Sequence, residues 1–115
     1  MSIIPFQVEP AVTPGDAPFE YERPRDGRVR LTARAGERRT GGSRIAVTEI
    51  TRSRTVLTVT CEIHEPAGGA LVTQVLTSPA QTVSVDEALV RGVRRAVLVD
   101  GGGAELARIN ALDLT

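Results

Sequence analysis

The sequence predicts an all-β protein: a small antiparallel β-sandwich or barrel of about seven short strands, preceded by an extended, proline-rich N-terminal arm. Three observations carry this reading. Apolar residues recur at every second position in several segments after residue 27, the periodicity of half-buried strands. Clusters of glycine and proline separate those segments at close intervals. The aliphatic core residues are rich in β-branched Val and Ile, which favour strands, whereas the aromatic residues are only Phe6, Phe19 and Tyr21. A chain of 115 residues has room for one modest core.

Residues 1–27 form the arm. Pro5, Pro10, Pro14, Pro18 and Pro24 each remove a backbone donor and forbid a regular helix. Large apolar residues lie between them, notably Ile3, Ile4, Phe6, Phe19 and Tyr21, and a disordered tail avoids such residues. The arm is therefore expected to pack, either on its own domain or on a neighbouring subunit.

Residues 28–115 are expected to form a single β domain. In "RVRLTAR" Val29, Leu31 and Ala33 face one way, and Arg28, Arg30, Thr32 and Arg34 the other. "AGERRTGG" is a turn, "SRIAVTEI" a strand and "TRSR" a second turn. "TVLTVTCEIHE" alternates Leu57, Val59, Cys61 and Ile63 against Val56, Thr58, Thr60, Glu62 and His64. "PAGG" breaks that strand, and "ALVTQVLT", apolar on both faces, reads as a central one. "TVSVD" is a short strand, and "DEALVRG" (residues 86–92) is either one helical turn or irregular strand. Residues 93–109 read as a terminal hairpin turning at "DGGG".

Composition excludes several chemistries. The 14 basic and 14 acidic residues cancel, and seven Arg against six acids in residues 1–39 show the signs interspersed. No basic field for nucleic acid is evident. All 14 basic residues are Arg, so neither a Schiff-base lysine nor the lysine of a phosphate-binding loop is available. One His and one Cys are too few for a zinc site within one chain. Cys61 and His64, three apart on an alternating strand, point to opposite faces and cannot act as a nucleophile–base pair. No catalytic residue, cofactor or metal site is expected. Cys61 has no disulfide partner, which fits a reducing compartment. The start "MSIIPFQVEP" lacks a signal-peptide pattern, and no run is long enough for a membrane span. The expected location is the cytoplasm, or a particle assembled there.

"GERRTGGSRIAVTEI", then "VLTVTCEIHEP" and "LVTQVLTSPAQTVSV", resemble the C-terminal domain family of the bacterial protease-complex protein PrcB. The matching positions are Gly36, Glu37, Arg38, Thr40, Gly41, Gly42, Glu62, Pro66, Thr73, Gln74, Leu76, Thr77 and Pro79, within residues 28–85. Ser43 stands where the family often has an aromatic residue, and Ala70, Leu71 and Val72 depart from its usual pattern. The resemblance implies a small β domain that accompanies other proteins, without catalytic residues.

Two roles follow as expectations. The first is a non-enzymatic structural or interaction protein, oligomeric or part of a larger bacterial or phage assembly. It would dock through Ile3, Ile4, Phe6, Phe19 and Tyr21 by strand addition or groove filling. The second is a protease-associated accessory or inhibitor domain that presents loops 36–43, 64–71 and 100–103 to a partner. In that role Arg38, Arg39 and Thr40 make contact; otherwise Gly41 and Gly42 simply close a tight turn or bulge. Gln74, between threonines, is a candidate to satisfy backbone groups of that turn.

Overall fold

The computed structural model describes residues 1–38, 42–65 and 77–114. Its elements are β1 (Ser2–Ile3), β2 (Gln7–Val8), β3 (Phe19–Tyr21), β4 (Arg28–Arg34), β5 (Arg44–Ser53), β6 (Val56–His64), β7 (Ala80–Asp86), α1 (Glu87–Val90), β8 (Arg95–Val99) and β9 (Glu105–Ile109). The strand expected in "ALVTQVLT" lies, apart from Thr77, outside the described residues, as does Gln74.

Two sheets face each other. One has the order β1-β5-β6-β8-β9, the other β2-β7-β4-β3. This is the expected all-β sandwich, with one difference: β6 and β8 run parallel, Val56 to Thr60 against Arg95 to Val99. The parallel pair arises because β7 and α1 intervene, carrying the chain through the other sheet before it returns. Parallel neighbours require such a long crossover.

The arm is built into both sheets. β1 pairs with β5, β2 with β7 and β3 with β4, all antiparallel. Its prolines stand between these short strands, where the missing N–H costs no ladder bond. β3 joins β4 through a two-residue turn at Asp26 and Gly27, both with positive φ (57° and 72°). Arg25 and Arg28 exchange backbone hydrogen bonds of 2.9 and 3.0 Å across that turn. Asp-Gly is the pair that such a hairpin turn prefers.

The core lies between the sheets. Val29, Leu31, Ala33, Val83 and Val85 meet Ile50, Leu57, Val59, Cys61, Ala96 and Leu98, all buried. Each fully buried Leu, Ile or Val contributes roughly 1.5–3 kcal/mol before the ordering entropy is counted. A bulge between Val47 and Glu49 leaves Thr48 unpaired in the ladder, so Val47 and Ile50, three apart, are both buried. Gln81 of the facing sheet accepts the Val47 N–H at 2.8 Å.

Residues 86–92 contain one helical turn. Asp86 caps it by accepting from the Ala88 N–H at 2.9 Å, and Val90 is buried. The terminal hairpin pairs β8 with β9, irregular between Leu98 and Val99 so that Leu106 falls outside the paired positions. Asp100 closes it by accepting from Gly102 and Ala104 N–H, each at 2.9 Å.

Candidate functional site: two faces and one loop end

The alternation of β4 places Arg28, Arg30, Thr32 and Arg34 on the outer face of the smaller sheet, and the arm covers that face. Arg30 Nε donates to Glu9 Oε1 at 2.7 Å. Ser84 Oγ donates to Glu9 Oε2 at 3.2 Å, and Arg28 Nε donates to that hydroxyl at 2.9 Å. Hydrogen bonding from Arg30, helped by Ser84 and the nearby guanidinium charges, holds the Glu9 carboxyl below its usual range. Arg34 donates to the Thr13 and Ala17 carbonyls at 2.6 and 2.8 Å and pairs with Glu20. A shallow cleft of about 280 Å³ remains between arm and sheet, bordered by Val12, Thr13, Glu22 and Arg25.

These arginines were not singled out by sequence reasoning, although three arginines on one strand face demand counter-ions or carbonyls. The five arm residues that were singled out divide. Ile4 (4% exposed) and Phe19 (6%) belong to the core, and Phe6 and Tyr21 pack partly against it. Tyr21 Oη accepts from the Asp113 N–H at 3.4 Å. Ile3 is 75% exposed on the two-residue edge strand β1.

A different set of residues meets where β4, β5, β6, β7 and β8 reach one end of the sandwich. Arg38 and Thr77 exchange two backbone hydrogen bonds, 2.7 and 2.8 Å. The Arg38 guanidinium donates to Glu65 at 2.8 Å and to the Ala35 carbonyl at 3.1 Å. Arg38 thus ties the neck of the connection between β6 and β7, while Arg39 and Thr40 lie outside the described residues. Gly41 lies outside them too; Gly42 has φ of 95°, a conformation that suits glycine. Of the three expected contact loops, residues 36–38, 42–43, 64–65 and 100–103 are described, and residues 66–71 are not.

Beside this neck is an open depression of about 540 Å³, lined by Cys61, Glu62, His64, Asp100, Gly101 and Leu106 among others. Its rim is polar: Glu62 and His64 sit side by side, 3.4 Å between Oε2 and Nε2. Leu106 adds an apolar side chain, 43% exposed. Cys61 is fully buried, and burial together with the Asp100 charge pushes its thiol up, away from the thiolate form. Among the described residues no cluster of three or more His, Cys, Asp or Glu is placed to hold a metal ion.

No curated protein and no solved structure matches this chain. One family does: residues 31–86 match the family described as PrcB C-terminal. That span runs from β4 to β7 and includes the Arg38–Thr77 neck and half of the depression's lining. The stretch from Leu31 to Asp86, which runs from β4 to β7 and reaches the loop end, is thus similar to the PrcB C-terminal family.

Proposed function

We propose that the chain is a non-catalytic interaction domain whose loop end binds a protein partner, in the manner of an accessory or inhibitor domain of a protease complex. The observation that carries this is the meeting of Glu62, His64, Asp100 and Leu106 around one depression, at the end of the sandwich where Arg38 bonds Glu65. Among the described residues, the Arg38–Thr77 backbone exchange holds the neck, and the Asp100 carboxylate, accepting from the Gly102 and Ala104 N–H groups, holds the β8–β9 turn. Residues held in this way lose little conformational entropy on binding. The PrcB C-terminal match supplies the protease context.

Binding to a panel of purified serine, cysteine and metalloproteases tests the proposal. The expected result is saturable binding to a protease or its complex subunit, lost in Leu106→Asp, whose exposed position leaves the core intact. Absence of binding across the panel, or binding indifferent to Leu106→Asp, overturns it.

A second reading, self-association through the arm within a larger bacterial or phage assembly, is favoured by Ile3, which stands exposed on the edge of the larger sheet. Strand addition at such an edge is a common docking mode. Light scattering on the full chain tests it: an oligomer that Ile3→Asp converts to monomer supports self-docking, and a monomeric full chain removes it.

A further inference from the structure

At the end opposite the loop end, the β5–β6 turn and the segment between α1 and β8 bring together Arg52, Arg54, Arg91, Arg94 and Arg95. The ten residues of β5 separate the two ends by about 30 Å. Two segments nearly forty residues apart in sequence are locked side by side. Arg94 and Arg95 N–H groups both donate to the Thr55 carbonyl, at 2.8 and 3.2 Å. Arg52 donates to the Arg54 and Leu89 carbonyls at 2.8 and 3.0 Å, stapling the turn to α1.

The other four arginines are exposed, and among the described residues none of the five has an ion-pair partner. The acids around them are otherwise engaged or lie to one side. Glu105 feels Arg95 but is hydrogen-bonded to Arg108. Asp86 caps α1, Glu87 begins it, and Asp113 follows the buried Leu112. A chain with no net charge therefore carries a strongly cationic end, beside which Ile3 and Leu89 expose apolar side chains. Leu89 is the apolar residue next to Arg52, which donates to its carbonyl, whereas Ile3, paired with Thr51, stands at the same end on the opposite face of the strand pair.

We infer that this end docks an acidic protein segment that also carries apolar side chains. Arginine beside apolar surface is the composition of protein interfaces. Nucleic acid is a poorer fit. The cluster does not extend into a phosphate-tracking groove, because Asp86, Glu87 and Asp113 border it. The aromatic residues that would stack bases are on the arm; Phe19 is buried, and Phe6 and Tyr21 pack partly against the core.

Fluorescence anisotropy with the full chain and a labelled glutamate-rich peptide containing leucines tests the inference. Binding is expected to weaken with salt and to fall about tenfold in the double variant Arg91→Gln/Arg94→Gln. Arg54→Gly is a second variant that keeps the fold, because Arg54 has φ of 56° and glycine relieves that conformation; it too is expected to weaken binding. Arg44→Gln, at the far end, is expected to bind like the parent. The inference is overturned if the peptide does not bind, or if Arg54→Gly binds undiminished. It is also overturned if single-stranded DNA or phosphatidylserine vesicles bind more tightly than the peptide through the same arginines.

Discussion

Thr32 and Thr82 stand directly opposite each other on β4 and β7, and their hydroxyls share a hydrogen bond of 2.8 Å beneath the arm. Both are buried, and Thr82 Oγ1 also accepts the Thr13 N–H at 3.1 Å. The pair is the point at which an outward-facing polar stripe becomes interior, because the arm crosses it. Thr82→Val keeps the shape but leaves a hydroxyl and an amide without their partner. A loss of about 1–3 kcal/mol is expected in urea unfolding, with the slope unchanged. Thr32→Val combined with Thr82→Val is expected to cost less than the two single changes added, since the orphaned hydroxyl is gone.

Arg34 fastens the arm where the smaller sheet reaches the loop end. Its fork reaches two carbonyls and the Glu20 carboxylate at once, a geometry that a lysine ammonium does not reproduce. Arg34→Lys is expected to lose about 1–2 kcal/mol, reduced from the value of a fully buried pair because Glu20 is partly exposed. Limited proteolysis is the more specific measurement: cleavage within residues 10–18 is expected to rise well before cleavage elsewhere.

Phe19 reports whether the arm is part of the core. It is nearly fully buried, pairs with Ala33 and is the large aromatic among smaller aliphatic residues. Phe19→Ala is expected to cost about 3–5 kcal/mol. A chain beginning at Gly27, which loses both Ile4 and Phe19, is expected to show no cooperative thermal transition by circular dichroism. If that shortened chain melts cooperatively near the parent's midpoint, the arm's strands contribute little to folding.

Local pattern made the strands legible. β4 spans the residues its alternation marks, and the buried Leu57, Val59 and Cys61 follow the alternation of β6. Nothing in "RIAVTEI" announces the bulge at Thr48, because a bulge is fixed by what the neighbouring strand and Gln81 offer, and those are distant in sequence. The parallel β6–β8 pair is likewise a property of the crossover rather than of either strand. The Asp26–Gly27 pair is a readable hairpin signal, but the prolines before it interrupt the period-two pattern that would mark β3. The loops at 36–43 and 100–103 could be marked as turns from their glycines. The meeting of residues 100–102 with Glu62 and Leu106 follows only from the topology. The arginine end was hidden most completely, since its members lie in two groups in a neutral sequence and only the pairing of β6 with β8 brings them together.

Glu9 makes the arm's attachment sensitive to acid. Its carboxylate is favoured in the folded state, chiefly by the hydrogen bond from Arg30, so its folded pKa lies below its unfolded one. The stabilisation it provides is then complete above the unfolded value, and it is lost as pH falls through the depressed folded value. Protonation removes the acceptor on which Arg30 and Ser84 converge, so the arm segment next to β2 is expected to loosen first. Hydrogen exchange at the Glu9 N–H, which donates to the Thr82 carbonyl at 2.8 Å, measures this directly. Protection at that amide, after correction for the intrinsic exchange rate, is expected to fall on acidification before protection at Val59 in the core does. In Glu9→Gln the low protection is expected already at neutral pH, with little further change on acidification. Equal pH dependence at Glu9 and Val59 in the parent chain rules out a local opening and assigns the acid sensitivity to global unfolding.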